Sequence, residues 1–239
     1  MTSYAGRGVH GQVVERLGYR IVSGEVPEGA TLDLRELAEE LDISLTVIRE
    51  TLKVLAGKGL VAARQKRGTF VRPRSEWNML DADVIRWRVA GGKGEALLRD
   101  LAELRAIVEP AAVRHAAERR TDADLAALER ALTAMGEAGD DTDAAAAADA
   151  AFHRALLTAS GNEMLTQLDQ LMEPVLRVRD DIVHAPHGVA DDPVPSHRAV
   201  LEAIRERDAD RASAAMVDLL AKSVADFDLA VRSASRPGE

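Results

Sequence analysis

Residues 34–73 read LRELAEELDISLTVIRETLKVLAGKGLVAARQKRGTFVRP, a run in which local structural signals follow one another at short intervals. Leu34, Leu37, Ala38 and Leu41 recur at helical spacing and predict a short amphipathic helix within 33–42. Ser44 carries the side-chain oxygen an N-cap needs, and Val47, Ile48, Thr51, Leu52 and Leu55 then line one face of a second helix. Gly57 and Gly59 end it. The segments LVAAR (60–64) and TFVRP (69–73) predict two short strands, joined by the basic turn QKRG and closed by Pro73. Upstream, Val9, Val13, Val14, Leu17 and Ile21 mark a helix over 9–24, while EVPEGATL reads as a loop. Helix, short helix, turn, helix and basic hairpin is the order of a winged helix-turn-helix.

The charge distribution agrees with a nucleic-acid partner for this part alone. Residues 1–74 hold 12 Lys/Arg against 9 Asp/Glu, a net of +3, whereas residues 75–239 hold 19 against 31, a net of −12. Arg64, Lys66, Arg67, Arg72 and Arg74 fall in an eleven-residue stretch without an acid. A basic front and an acidic rear imply two modules with different partners.

In such a domain the second helix of the pair enters the major groove and offers its N-terminal side chains to base edges. Here those are Ser44, Thr46, Arg49 and, one turn on, Lys53. Arg49 suits a bidentate contact to guanine or a phosphate contact equally well. Lys66 and Arg67 at the wing tip suit phosphate or minor-groove contact. The competing explanation, solvated charges on a small domain, leaves the agreement of cap, glycines, helix order and basic hairpin as coincidence.

The remainder is a different kind of sequence. Residues 75–92, SEWNMLDADVIRWRVAGG, hold both tryptophans and predict a linker with a short helix over 82–89 that packs on one of the domains. From residue 95 onward the pattern is helical: 95–120, a segment opened by the capping-box pair Thr121 and Asp124, 141–161, 162–185, 196–208 and 209–234. Short connections suit an antiparallel bundle. Pro110 and Pro174 fall inside helical patterns and are expected to kink or restart them. The organisation expected is therefore mainly α: a winged helix-turn-helix over 1–74, the linker over 75–92, and an all-α bundle over 93–235.

Composition narrows the class. The chain has 239 residues, 46 % of them hydrophobic, 30 % charged and 3 % aromatic, so alanine and leucine carry the apolar load and helix is favoured. With no cysteine there is neither a disulfide framework nor a thiolate metal site. No apolar run approaches the ~18 residues of a membrane span and no signal-peptide pattern opens the chain, so a cytoplasmic protein without a membrane partner is expected. Gly-rich phosphate loops, Gly-x-Ser-x-Gly elbows and His-Glu-x-x-His patterns are absent, which leaves a metal-dependent hydrolase on a helical bundle as the enzyme alternative.

The stretch 34–73 resembles the DNA-binding domain of GntR-type bacterial transcription regulators. DLAELRAIVEPAAVRHAA (100–117), DAAFHRALLTASGN (149–162) and SHRAVLEAIRERDADRASAAM (196–216) resemble the FCD ligand-binding domain of the FadR subfamily. EWNMLDADVIRW (76–87) is similar to members that regulate galactonate operons. The resemblance spans roughly residues 10 to 230.

It implies operator contacts from Arg35, Ser44, Thr46 and Arg49, with the wing around Lys66, Arg67 and Gly68 at the minor groove. The family usually has arginine directly after the serine, and this chain has Leu45, which implies an altered operator preference. It also implies a divalent metal (Zn, Ni, Mn or Fe) held by Asp149, His153 and His197, with Leu219 where a fourth ligand, a histidine, usually stands. Arg105 matches an arginine that faces the same cavity and takes an effector carboxylate.

Read from the residues alone, Asp149 and His153 at i and i+4 share a helix face that could converge on one ion, but a pair at this spacing is usually just an ordinary helix-surface pair. Arg105 has two readings as well: a salt bridge to Glu109, four residues on, or bidentate capture of an effector carboxylate. His184 and His187 read as loop histidines, either of which could replace the lost fourth ligand. The function expected is a homodimeric regulator on a pseudo-palindromic operator, with repression relieved by a small carboxylate such as a sugar acid. Segment 77–90 is the expected transmitter between sensor and reader. The alternative is a DNA-binding dimer whose bundle has a vestigial site and senses nothing.

Overall fold

A computed structural model describes residues 8–66, 68–169 and 192–234 of the chain. It divides into two compact units, the first ending at Glu95 and the second beginning at Ala96. Of the residues singled out above, Arg67, Pro174, His184 and His187 lie outside the described residues.

The first unit begins with α1 (Gly8–Ser23), followed by β1 (Thr31–Leu32), α2 (Leu34–Glu40), α3 (Leu45–Gly57), β2 (Val61–Arg64) and β3 (Gly68–Val71). A single 3-10 turn at Arg74–Glu76 leads to α4 (Ala82–Arg88). The Asp33 carboxylate accepts from the backbone N–H of Arg35 at 2.7 Å and of Glu36 at 3.2 Å, which opens α2. The Ser44 hydroxyl accepts from Val47 N–H at 3.3 Å and opens α3. Gly59, at φ +77, turns the chain out of α3; a Cβ there would lie 2.6 Å from the carbonyl oxygen of Glu76.

The sheet has three strands rather than the two the hairpin pattern suggests, in the order β1-β3-β2 and antiparallel throughout. Thr31 pairs with Phe70 and Leu32 with Thr69. Two residues are too short to show an alternation of faces, and only β3 beside them makes them a strand. Val14, Leu17, Ile21, Ile48, Leu55, Leu60, Val71, Val84 and Trp87 form one buried core across α1, α3, the sheet and α4.

The linker helix α4 thus belongs to the first unit. Asp81 caps it, accepting from Asp83 N–H at 3.0 Å and Val84 N–H at 3.2 Å. Lys58, at the end of α3, places its Nζ 2.8 Å from Asp81 Oδ1 and 2.8 Å from Asp83 Oδ2. Arg86 forks onto Glu15 of α1 at 2.7 and 2.6 Å, and the Trp87 indole N–H donates to the same carboxylate at 2.9 Å. After Arg88 the chain makes a π-type turn, Val89–Lys93, in which Gly91 and Gly92 leave helical geometry.

The second unit comprises α5 (Gly94–Arg119, shared with the end of the first), α6 (Asp122–Glu137), α7 (Thr142–Ala159), α8 (Glu163–Gln167), α9 (Val194–Arg205) and α10 (Ala209–Ala234). Thr121 and Asp124 form the capping box that opens α6, with Thr121 N–H donating to Asp124 at 2.8 Å and Asp124 N–H to Thr121 at 3.2 Å. Pro110 does not restart the helix: α5 runs through it. A proline removes one ladder hydrogen bond, and a helix of 26 residues held by tertiary packing absorbs that loss. Helices α6 and α7 pack as one hairpin, α9 and α10 as another, and α9 also lies on α6. Leu128, Leu132, Phe152, Leu156, Val200, Ile204 and Met216 fill the interior between them.

Candidate functional site

Two sets of side chains stand out, one on each unit. On the first, Arg35 from α2 and Ser44, Leu45, Thr46, Arg49 and Lys53 from α3 are all exposed. The buried stripe of α3 (Ile48, Thr51, Leu52, Leu55) faces the core, which leaves the polar face to solvent. Ser44 spends an acceptor lone pair on the cap and keeps its hydroxyl proton to donate. Lys53 is ion-paired to Glu50 at 2.7 Å. Leu45 is 38 % exposed, an apolar side chain in the first turn of a helix whose neighbours there are polar. In the wing, Lys66 takes a left-handed conformation at φ +66 and Gly68 follows at φ +79, which bends the hairpin tightly. Arg64 lies over the Phe70 ring at 5.1 Å and Arg72 donates to Glu76 at 2.6 Å. Lys66 is thus the exposed wing-tip cation among the described residues.

On the second unit, Asp149, His153 and His197 come together with one ligand atom each inside 4.8 Å of the others, and all three are buried. Asp149 and His153 are neighbours on α7, one turn apart; His197 arrives from α9. Both imidazole Nε2 atoms converge on Asp149 Oδ1, at 3.7 Å from His153 and 3.1 Å from His197. The Phe152 ring meets His197 edge-on at 4.9 Å between centroids and walls the cluster.

The state of His197 follows from its neighbours. Its Nδ1 lies 2.8 Å from the carbonyl oxygen of Pro193, which can only accept, so Nδ1 carries a proton, and in the neutral ring Nε2 keeps the lone pair. Although Nε2 sits close to Asp149 Oδ1, it is buried without a hydrogen-bond partner. A lone pair facing a carboxylate oxygen is repulsive unless a cation lies between them. The donor set, two imidazoles and a carboxylate, suits zinc, nickel, manganese or iron. The residues therefore fit a divalent cation. Leu219 is buried on α10 and has no donor atom to add.

Arg105 joins this cluster and at the same time makes the Glu109 salt bridge. Its Nε donates to Glu109 Oε1 at 2.5 Å, and its Nη2 lies 2.7 Å from His153 Nε2 and 3.3 Å from Nδ1. Glu109, fully buried, takes His153 Nδ1 on its other oxygen at 2.9 Å. Burial acts to lift the Glu109 carboxyl, but Arg105 and His153 beside it outweigh this and hold it at about 2. Burial keeps His153 below the usual histidine value, against the opposite pull of Glu109. The sequence shows Glu109 only as a partner at i+4 of Arg105; its reach to His153 depends on α5 lying against α7.

The chain resembles known proteins along most of its length. Residues 10–71 match the family described as bacterial regulatory proteins, gntR family, and residues 100–222 match the FCD domain. The galactonate operon transcriptional repressor of Escherichia coli (strain K12) is 36 % identical over 219 residues, covering 89 % of this chain and 93 % of that protein. The HTH-type transcriptional repressor NanR of Klebsiella aerogenes is 31 % identical over 216 residues, covering 85 % and 79 %. Among solved structures, one described as Lar, which controls expression of the Listeria monocytogenes agr system, matches with a TM-score of 0.61 at 18 % identity. It covers 93 % of this chain and 98 % of that one, a likeness of fold.

Proposed function

The chain belongs to the GntR family of bacterial transcription regulators and carries an FCD domain, and from that premise we propose that it is a metal-containing, effector-released repressor of an operon for sugar-acid catabolism. It acts as a cytoplasmic homodimer, one winged helix on each half of a pseudo-palindromic operator. Arg35, Ser44, Thr46, Arg49, Lys53 and the wing residues Lys66, Arg67 and Gly68 make the DNA contacts. Phosphate contacts carry much of the affinity, and the N-terminal turn of α3 carries the sequence preference.

One observation carries the sensor half of this reading: the buried His197 Nε2 faces Asp149 with no hydrogen bond, in a cluster that His153 completes. Asp149, His153 and His197 would hold the ion. A divalent cation bound there supplies a Lewis-acid centre for the carboxylate and hydroxyl oxygens of a hydroxy acid. Arg105 holds the effector carboxylate by a bidentate pair, which guanidinium geometry favours. The similarity to a galactonate operon repressor supports a sugar acid of the galactonate or gluconate type.

Beside Arg105, between α5 and α10, lies a cavity of about 50 Å³ lined by Leu98, Leu101, Ala102, Val224 and Phe227. That is room for one or two waters, not for a six-carbon acid, so an effector there displaces side chains of both helices. Occupancy thereby selects a bundle conformation with lower operator affinity, and the two ligands are coupled reciprocally.

Metal analysis of the purified protein, with thermal-shift titrations of galactonate, gluconate and lactate with and without chelator, tests the reading. The reading requires a bound divalent ion and an acid that raises Tm only in its presence. No ion and no response would leave a DNA-binding dimer with a vestigial bundle, and turnover of the acid would favour a metal-dependent hydrolase.

A further inference from the structure

Two histidines serve the cluster, and their ring protons are fixed in different ways. For His197 the backbone does it, through the Pro193 carbonyl one turn back on the same helix. For His153 a side chain does it: its Nδ1 is met by the Glu109 carboxylate from α5. We propose that Glu109 is the positioning residue of this site: it keeps the His153 proton on Nδ1, which turns the Nε2 lone pair toward Asp149 and His197, and its second oxygen holds Arg105 alongside.

The geometry is one-sided at Nδ1. An ionised carboxylate can only accept, so Glu109 Oε2 at 2.9 Å calls for N–H at Nδ1. Arg105 Nη2, 2.7 Å from Nε2 and 3.3 Å from Nδ1, is too close to both nitrogens to lie on the in-plane axis of either, so it sits over the ring and leaves the choice of tautomer to Glu109. Glu109 and Arg105 are four residues apart on α5, as Asp149 and His153 are on α7, so the two pairs face each other turn against turn.

Without Glu109, the favoured alternative puts the proton on His153 Nε2, donating toward Asp149 Oδ1, now 3.7 Å away. A proton then occupies the direction a metal needs. Carboxylates that orient metal-binding histidines commonly change metal affinity about 10–100-fold when replaced.

This inference rests on the reading of the cluster as a metal site, so its test separates the two. Full-length protein labelled with 15N-histidine is freed of metal by chelator, and its imidazole nitrogens are recorded by long-range 1H–15N correlation. A His153→Gln variant assigns the signals. Wild type is expected to show His153 protonated at Nδ1 alone, and Glu109→Gln to populate protonation at Nε2 as well, because an amide can donate to Nδ1 or accept from it where a carboxylate can only accept. The Zn²⁺ affinity of the same variant, from competition with a chelating dye, is expected to fall about 10–100-fold.

Removing one partner of a buried ion pair can unfold a domain, so Arg105→Met/Glu109→Gln, which buries no charge, is the second variant and is expected to change tautomer and affinity in the same sense. Wild-type His153 protonated at Nε2, or an unchanged tautomer in both variants, overturns the assignment of Glu109. A tautomer that moves as expected in a protein that takes up no Zn²⁺ upholds Glu109 and contradicts the metal reading instead.

Discussion

His197 Nε2 lies 3.1 Å from Asp149 Oδ1, both buried, and no hydrogen bond joins them. In the neutral ring the single proton is on the far side, donated to the Pro193 carbonyl. A buried acceptor facing a buried acceptor costs roughly 1–3 kcal/mol unless something positive intervenes. The bundle therefore has stability to gain from a cation.

Metal removal should show that gain. At free Zn²⁺ one hundred times Kd, mass action adds about 2.7 kcal/mol, which in a protein of this size raises Tm by several degrees. Calorimetry of chelator-treated protein with and without added Zn²⁺ measures it. Asp149→Ala should abolish the difference, and a metal-dependent Tm that survives this substitution would place the ion elsewhere.

Gly18 lies inside α1, where alanine would ordinarily stabilise a helix by about 1 kcal/mol. Here a Cβ would stand 2.3–2.6 Å from three ring atoms of Trp87. Gly18→Ala is therefore expected to destabilise the first unit by roughly 1–3 kcal/mol, read in urea unfolding followed by tryptophan fluorescence. Gly18→Ala in a Trp87→Leu background should recover most of the loss.

Lys58, buried between Asp81 and Asp83, ties the end of α3 to α4 and makes the first unit sensitive to acid. Burial acts to raise the Asp83 carboxyl, but Lys58 and Arg86 outweigh it and hold it below the usual aspartate range. A carboxyl whose folded pKa is depressed contributes stability above its unfolded value near 3.9 and loses it as pH falls through the folded value. Asp83→Asn should thus cost on the order of 2–3 kcal/mol at pH 7, since Asp81 still faces Lys58, and the gap to wild type should narrow below pH 4. Urea titrations of both proteins between pH 7 and pH 3 give the curve.

On the DNA side, Arg49→Ala should weaken binding by about 1–3 kcal/mol, and the manner of the loss identifies the contact. Relaxed preference at one base marks a base contact, whereas uniform weakening with a shallower salt dependence marks a phosphate contact. Leu45→Arg should shift preference toward guanine beside the Arg49 position, because it restores a bidentate donor to the first turn of α3. Selection from a randomised duplex pool reads both; an identical preferred sequence for wild type and Leu45→Arg would remove Leu45 from the interface.

Much of this was legible in the residues because the signals are local. Ser44, Thr121 and Asp124 announce their helix ends through side chains that reach only three residues along the chain. What could not be read is what depends on a second element. Thr31 and Leu32 become a strand only beside β3. Segment 75–92 carries no mark of which unit it joins, since the decisive contacts are Trp87 against Gly18 and Arg86 on Glu15, some seventy residues back. Arg105 looked like either a salt bridge or a ligand hand, and beside His153 it makes the first while standing where the second would need it. Glu109 gave only the hint of its spacing, because its role depends on α5 facing α7.

The most direct measurement is operator affinity by fluorescence anisotropy for the metal-loaded protein, with and without millimolar galactonate or gluconate, repeated after chelation and with Asp149→Ala. The account predicts at least a tenfold loss of affinity on adding the acid to loaded wild type, and no loss after chelation or in the variant. Operator affinity that ignores every acid tested, or a response that persists without the metal, would contradict it.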